Sequence, residues 1–161
     1  MEIERKWLIH PADIPYDLNT LRHICIRQAY VSFSPVVRIR QINNGEKNIL
    51  TVKRPTVWQG LANEESEYEI DAGLAAFLFS CAAGNIITKM RYLNPLPSGL
   101  TEEIDLFSGA LEGLAYLEIE FPDIELAKSY PTPEWTTADV TEDFRYKNSS
   151  LAKYGIPESQ G

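Results

Sequence analysis

The sequence predicts a mainly β protein of the α+β class: a closed barrel of eight antiparallel strands with helices packed on the outside. Charged residues alternate with apolar ones in seven short segments, and this two-residue period is that of a β-strand. Short turn sequences separate most of these segments, which is typical of antiparallel strands. A chain of 161 residues is long enough for one domain with a substantial core.

The first nine residues show the alternation most clearly. Glu2, Glu4 and Lys6 share one face of a strand, and the opposite face carries Ile3, Arg5 and Trp7. The same alternation returns in six later segments, whose charged residues are Arg38 and Arg40, Lys53, Glu67 and Glu69, Lys89 and Arg91, Glu103 and Asp105, and Glu118 and Glu120.

Two interpretations fit these charged faces. In the first, each face points to water, as in any half-buried antiparallel sheet. In the second, the faces converge inside the barrel and the apolar faces pack outward against helices. The later pairs are sorted into all-acidic and all-basic types, whereas a solvated sheet gains from opposite charges across neighbouring strands. This sorting favours the second interpretation, in which the interior binds a polyanion together with cations.

The strands follow one another through most of the chain. Asn44-Gly45 predicts a hairpin turn between the third and fourth strands, because these residues tolerate positive φ angles. Pro55 and Pro122 each end a strand. The predicted strands cover residues 1–9, 24–33, 36–42, 48–54, 64–70, 86–93, 100–107 and 116–121.

The clearest helix begins after Asp71, with Leu74, Phe77, Leu78 and Cys81 at helical spacing. It carries almost no charge, so it is predicted to be buried over much of its surface against the outside of the barrel. Shorter helices are predicted over residues 16–22, 123–130 and 148–154.

The domain organisation predicted from the sequence is simple. Residues 1–155 are expected to form a single domain, followed by a frayed C-terminal tail over residues 156–161. Residues 56–63, which include Trp58, are expected to form a mobile loop.

The composition argues against several classes of protein. The net charge of −8 argues against a general nucleic-acid binder, which needs a basic face. The most apolar segment, residues 74–83, is far too short to cross a bilayer, and no signal peptide is visible at the N-terminus. A cytoplasmic protein without nucleic-acid or membrane partners is therefore expected. Cys25 and Cys81 form no CxxC pair and are predicted to be buried free thiols.

An inward-facing set would place six cations and about eight carboxylates around the interior of the barrel. So many charges cannot be buried dry, which predicts a water-filled tunnel with ligands. Arg and Lys suit phosphate oxygens, and clustered carboxylates suit Mg²⁺ or Mn²⁺. Tyr30 joins the interior if its strand turns Gln28 and Ser32 inward; a packed ring with its hydroxyl at the surface is the alternative.

These segments together resemble the CYTH superfamily, the triphosphate tunnel metalloenzymes. Glu2-Ile3-Glu4-Arg5-Lys6 matches the ExExK signature of that family, and the later segments follow in the family's order. Residues 140–148, Val-Thr-Glu-Asp-Phe-Arg-Tyr-Lys-Asn, resemble the closing segment of its short bacterial members. ExExK alone is a weak signal, whereas the full ordered set is a strong one. Two marginal departures are Thr101-Glu102, where the family often has a tryptophan, and Thr137-Ala138-Asp139, where it often has Gly-x-Glu.

The resemblance implies an eight-stranded tunnel that hydrolyses a triphosphate with Mg²⁺ or Mn²⁺. It implies that the phosphates are bound by Lys6, Arg38, Arg40, Lys53, Lys89 and Arg91. The implied metal ligands are Glu2, Glu4, Glu118 and Glu120, and the carboxylates that complete the metal shell or position water are Glu67, Glu69, Glu103 and Asp105. The catalytic residues are predicted to be Lys6, which lies beside the two glutamates of the first strand, together with Glu4 and Tyr30.

Inorganic triphosphate is the expected substrate, because a short chain shows no dedicated nucleobase pocket. Thiamine triphosphate is an alternative, with Trp58 stacking on the organic group, and a CYTH-type adenylate cyclase acting on ATP is another. The alternative without catalysis is a module that binds polyphosphate or nucleotide. A small-molecule triphosphate is the expected partner, and the sequence leaves both a monomer and a homodimer open.

Overall fold

A computed structural model describes residues 1–58 and 61–158 of the chain. Its strands are β1 (Glu2–Ile9), β2 (Arg22–Phe33), β3 (Val36–Ile42), β4 (Lys47–Pro55), β5 (Ala62–Glu69), β6 (Ala83–Pro95), β7 (Thr101–Ser108), β8 (Ala115–Glu120) and β9 (Thr136–Asp139). Its α-helices are α1 (Ala72–Ser80), α2 (Ile124–Ser129) and α3 (Asn148–Tyr154).

Eight of these strands close into an antiparallel barrel, which confirms the predicted fold class. The hydrogen-bonded order is β5-β4-β3-β2-β6-β7-β8-β1, and pairing of Glu2 in β1 with Asn63 in β5 closes the ring. The short ninth strand, β9, was not predicted. It pairs with the second half of β1, opposite Trp7 and Leu8, where β5 no longer reaches.

Two helices cover the outside of the barrel. Trp7 is fully buried in an outer core that includes Ala127 of α2. Phe79 of α1 packs with Ala29 and Ile39, which point outward from β2 and β3. Burying a large apolar side chain stabilises a fold by about 1.5–3 kcal/mol, so these contacts hold the strands in register around the tunnel.

The surface of α1 differs from the prediction. In this helix Ala75 and Phe79 are buried, whereas Leu74 and Phe77 are exposed, so its apolar composition does not correspond to extensive burial. Asp71 caps its N-terminus, at the point where the sequence predicted the helix to begin, by accepting a hydrogen bond from the backbone N–H of Leu74. Cys81 ends the helix and is also exposed, so the prediction of a buried thiol is wrong there. Cys25 is half-buried, and both thiols are free.

The third helix lies across one end of the barrel, which we call the plugged end. Leu151 and Ala152 of α3 are fully buried against side chains that point into the barrel. Gly84 of β6 permits this contact, because a Cβ atom there would lie 2.5 Å from the carbonyl oxygen of Ala152. The inward-pointing partners of the helix are Tyr30, Ile87, Phe107 and Tyr116.

Other sequence predictions fall on short segments. Residues 16–22 do not form an α-helix: a single 3₁₀ turn, Leu18–Thr20, follows an Asp17 cap, and β2 already begins at Arg22. No helix in the described residues is long and apolar enough to cross a membrane. Parts of the predicted mobile loop, at Gln59 and Gly60, and of the predicted frayed tail, at residues 159–161, lie outside the described residues.

Candidate active site

The strand register turns the predicted charged faces toward one interior. Across β1 and β8, Glu4 is paired with Glu120 and Lys6 with Glu118, and directly paired residues point to the same face. Asp105 is likewise paired with Arg91 across β7 and β6. The outward faces of these strands carry the outer apolar core. The barrel interior therefore holds the mixed acidic and basic surface that the alternation indicated.

Two arginines of β3 form the least neutralised part of this surface. The Nε of Arg40 donates a hydrogen bond to Oε1 of Gln28 at 2.9 Å, and a guanidinium NH2 of Arg38 approaches Oγ1 of Thr51 at 3.4 Å. Within residues 1–58 and 61–158, neither arginine forms an ion pair, and the buried Nε of Arg38 has no hydrogen-bond partner. Burial, with Arg38 nearby, lowers the pKa of Arg40 to about 10. An anionic ligand would satisfy both side chains.

A buried ion cluster lies beside these arginines. Asp105, which is fully buried, contacts Nζ of Lys89 at 2.7 Å and accepts two hydrogen bonds from Arg91, at 2.8 and 2.9 Å. Burial lowers the pKa of Lys89 to about 7 against the pull of Asp105. Burial also opposes ionisation of Asp105, but Arg91 and Lys89 outweigh it and hold the pKa of this carboxyl below its usual range. Asp105 thus positions the two cations.

The carboxylates of β1 are crowded. Burial and the nearby Glu4 raise the pKa of Glu2 to about 9, and burial and the nearby Glu118 raise the pKa of Glu4 to about 7. Burial and Glu118 also raise the pKa of Glu120. Glu118 itself is different: despite its burial, the nearby Lys6 and Arg91 lower its pKa well below the usual range. Repulsion within this group would be relieved by a cation.

The donors present fit a hard divalent metal ion, because all four predicted ligands are carboxylates and such ions prefer oxygen. In the part of the chain that the structure describes, no three His, Cys, Asp or Glu side chains yet converge in a geometry that could hold a metal. The assignment of the metal to Glu2, Glu4, Glu118 and Glu120 therefore stays a prediction.

The acidic residue of β5 that lies inside the barrel is not one of the predicted pair, Glu67 and Glu69. Glu67 and Glu69 are both exposed, because β1 pairs with β5 only at Ala62 and Asn63 and leaves the later part of β5 without a neighbour on that side. Glu65, on the same face, lies inside and contacts Nζ of Lys53 at 3.2 Å, next to Glu2 at 3.6 Å from the same ammonium. Residues 64–67 contain three glutamates, and the sequence alone does not show which of them face the interior, so Glu65 was not predicted to belong to the site. Its pairing with Lys53 in the sheet identifies it.

The predicted catalytic residues lie toward the plugged end. The Nζ of Lys6 donates a hydrogen bond to the carbonyl oxygen of Tyr146 at 2.9 Å, lies 3.4 Å from Glu118 and sits over the ring of Tyr116. Tyr30 is buried and is paired in register with Arg38. Both Lys6 and Tyr30 line a cavity of about 320 Å³, together with Glu4.

The closing segment also contributes a residue that sequence reasoning did not assign to the site. The side-chain oxygen of Asn148, at the start of α3, accepts a hydrogen bond from the hydroxyl of Tyr116 at 2.9 Å and lies 3.5 Å from Nζ of Lys89. The resemblance of residues 140–148 to a family segment was the available signal. Asn148 links the helix at the plugged end to the buried cations.

The raised carboxyl pKa values predict an unusual pH dependence of stability. Folded protein without metal holds protons on Glu2, Glu4, Glu103 and Glu120 that the unfolded chain releases above about pH 4.5. Stability in EDTA is therefore expected to fall as the pH rises from 5 to 7, by several degrees in Tm. Mg²⁺ at pH 7 is expected to reverse the loss. A Tm in EDTA that rises over this range would contradict the raised pKa values of the carboxyl groups. Above pH 7, Lys89 changes the stability in the opposite direction, because its pKa is lowered on folding.

Comparisons with known proteins find inorganic triphosphatases among both the curated proteins and the solved structures. No family model matches the chain. It is 34% identical over 152 residues to an inorganic triphosphatase of Nitrosomonas europaea, covering 94% of this chain and 96% of the relative. It is 36% identical over 155 residues to an inorganic triphosphatase of Acetivibrio thermocellus, covering 94% and 93%. A crystal structure of an inorganic triphosphatase matches with a TM-score of 0.68 and 33% identity over 95% of both chains. The chain therefore belongs to the family of these inorganic triphosphatases.

Proposed function

We propose that this protein is a CYTH-type tunnel enzyme that uses a divalent metal to hydrolyse inorganic triphosphate. The observation that carries the proposal is the pair of unneutralised arginines, Arg38 and Arg40, inside a barrel whose opposite wall is crowded with carboxylates. A linear triphosphate with a bound metal satisfies both walls at once. Both curated relatives are named as inorganic triphosphatases, which supports this substrate.

In this proposal the cations bind the phosphate oxygens. Arg38 and Arg40 offer planar donors that match two oxygens of one phosphate. Arg91, held by Asp105, adds fixed positive charge that need not reorganise as negative charge moves during phosphoryl transfer. Lys89, held by the same carboxylate, adds an ammonium whose charged form a bound phosphate would favour. Lys6 and Lys53 complete the predicted phosphate-binding set, and each already contacts a carboxylate that a metal ion could draw away.

The carboxylates are proposed to hold Mg²⁺ or Mn²⁺. Glu2, Glu4, Glu118 and Glu120 would supply the oxygen ligands, and Glu103 and Asp105 would position water or support the shell; Glu67 and Glu69 stand farther out at the rim. The bound metal would polarise the phosphoryl oxygens and assist formation of the nucleophile. Glu103 is not one of the four proposed ligands, and burial raises its pKa to about 7, so it is suited to accept the proton of the attacking water.

Lys6 and Tyr30 have proposed roles at the leaving group. The ammonium of Lys6 stands next to Glu118 and lines the cavity beside Glu4, so it can neutralise the departing phosphate. The Tyr30 hydroxyl, on the face that carries Arg38, can donate a hydrogen bond to a bound phosphate oxygen. Residues 1–155 are proposed to form this single catalytic domain.

A second candidate substrate is an organic triphosphate. The cavity beside Lys53 has apolar walls on which an organic group could rest: Phe33, Pro35, Val36, Pro55 and Val140. Trp58, the residue expected to stack on such a group, instead lies with Lys128 4.3 Å from its ring centroid, and it does not line this cavity. This placement weakens the thiamine triphosphate alternative that rested on Trp58.

The test is phosphate release from inorganic triphosphate, ATP and thiamine triphosphate, each with Mg²⁺, Mn²⁺ or EDTA. We expect metal-dependent release that strongly favours inorganic triphosphate. Arg38→Ala should lower this rate by about 10²-fold or more, since the loss of one charge-stabilising donor has that effect. Arg22→Ala, a change at an exposed arginine, serves as the control. Production of cyclic AMP from ATP, or binding without release, would replace the proposal by the cyclase or the binding module.

A further inference from the structure

Two cavities lie at opposite ends of the barrel, and they differ in charge. The first, which we call the side cavity, is the space of about 320 Å³ that contacts Glu4, Lys6 and Lys53. It opens at the plugged end, between the β2–β3 hairpin, the end of β4 and the segment that leads into α3. Its charged lining is Lys6, Lys53, Arg54, Lys147, Glu4 and Asp143.

The second cavity, of about 630 Å³, lies at the other end, which we call the acidic end. It reaches Glu103 of β7 and Glu120 of β8, and none of its lining residues is basic. The exposed Glu67 and Glu69 extend from β5 at the same end. A polyanion that approaches the acidic end therefore meets carboxylates first, whereas one that approaches the side cavity meets ammonium and guanidinium groups.

The cations of the side cavity are available to an incoming anion. Lys147 is half-buried and forms no ion pair within the described residues, and Arg54 is exposed at the end of β4. The carboxylate of Asp143 is already neutralised by Arg145, at 2.6 Å. Burial, together with repulsion from Lys53 and Lys6, lowers the pKa of Lys147, while the carboxylates of Glu4 and Glu2 oppose this shift. An anion near Lys147 would remove this repulsion.

We propose that the triphosphate enters the tunnel through the side cavity and that Lys147 and Arg54 bind it there before it reaches Lys6 and Lys53. This inference rests on the proposed triphosphatase function. Clefts lined by one sign of charge raise the rate at which an oppositely charged ligand associates by roughly 10 to 10³-fold. Lys147 and Arg54 are thus binding residues of the side cavity, outside the predicted phosphate-binding set.

The test compares charge reversals at the two ends. Lys147→Glu and Arg54→Glu are expected to lower kcat/KM for inorganic triphosphate by about 10-fold at low salt, with kcat changed less than twofold. In the same variants kcat/KM should decrease less steeply as the ionic strength rises, because salt screens the attraction between the triphosphate and the cations of the side cavity. Lys47→Glu makes the same change of charge at an exposed position at the far end of β4 and should leave kcat/KM within twofold of wild type.

Each outcome decides the proposal. An equal loss in Lys47→Glu, or a gain in kcat/KM in Glu69→Lys larger than the loss in Lys147→Glu, places entry elsewhere and overturns it. Lys147→Gln, which keeps a polar side chain of similar length, guards against misfolding: an intermediate loss with an unchanged Tm supports a binding role. If the wild type releases no phosphate, the proposed function fails. The association rate of inorganic triphosphate with the same variants then still shows whether it binds through the side cavity. Absence of any association overturns both.

Discussion

Glu4→Gln is expected to lower the rate of triphosphate hydrolysis by about 10²-fold or more while leaving Tm in EDTA unchanged or higher. The variant keeps the shape of the side chain and removes its charge. The charge of Glu4 is required in the proposed metal-binding role. The same charge is unfavourable to the fold, because burial and Glu118 raise the pKa of Glu4 to about 7. Activity and stability are therefore expected to change in opposite directions.

The measurement pairs steady-state phosphate release with thermal unfolding at pH 7. Glu112→Gln is the control, since Glu112 is exposed in a turn and should affect neither quantity. Loss of activity together with a large fall in Tm would show that Glu4 supports the fold rather than the chemistry. Retained activity would exclude Glu4 from the active site.

Asp105→Ala is expected to have the largest effect on stability, a loss of about 3–5 kcal/mol. It leaves Lys89 and Arg91 buried without the carboxylate that both now contact. For a chain of this size the loss corresponds to a fall in Tm of roughly 10 °C. Thermal or denaturant unfolding at pH 7 measures it.

Asp143→Ala removes the carboxylate of a pair of almost the same length, 2.6 Å, but on the surface with Arg145. Solvent screens such a pair, so the expected loss is small, about 1 kcal/mol, and comes mainly from the cap hydrogen bond that Asp143 accepts from the backbone N–H of Arg145. Similar losses of stability in the two variants would mean that burial of the Asp105 cluster does not determine how much it contributes to the free energy of unfolding. Bound inorganic phosphate should partly restore the stability of Asp105→Ala, because it supplies negative charge near the two cations.

Local patterns in the sequence predicted most of the barrel. The alternation of Glu2, Glu4 and Lys6 with apolar residues is a property of neighbouring positions, and strand geometry converts it directly into two faces. The inward direction of the charges followed from the sorting of acidic and basic pairs, which a solvated sheet does not explain. The start of a helix after Asp71 and the turn at Asn44-Gly45 are equally local, and the structure has both.

Features that depend on tertiary contacts were not predictable in the same way. Strand β9 is only four residues long, and it forms because β5 leaves the second half of β1 unpaired. Glu65 is distinguished from Glu67 by its register with Lys53, and a register between strands is not written in either strand alone. The position of α3 depends on Gly84, whose missing side chain makes room for Ala152.

The central claim is that the unneutralised arginines and the crowded carboxylates form one metal-dependent site for triphosphate. Phosphate release from inorganic triphosphate by the wild type, with Mg²⁺ and with EDTA, tests it most directly. We expect rapid release with Mg²⁺ and none above background with EDTA. Equal release with and without the metal, or no release under either condition, would contradict it.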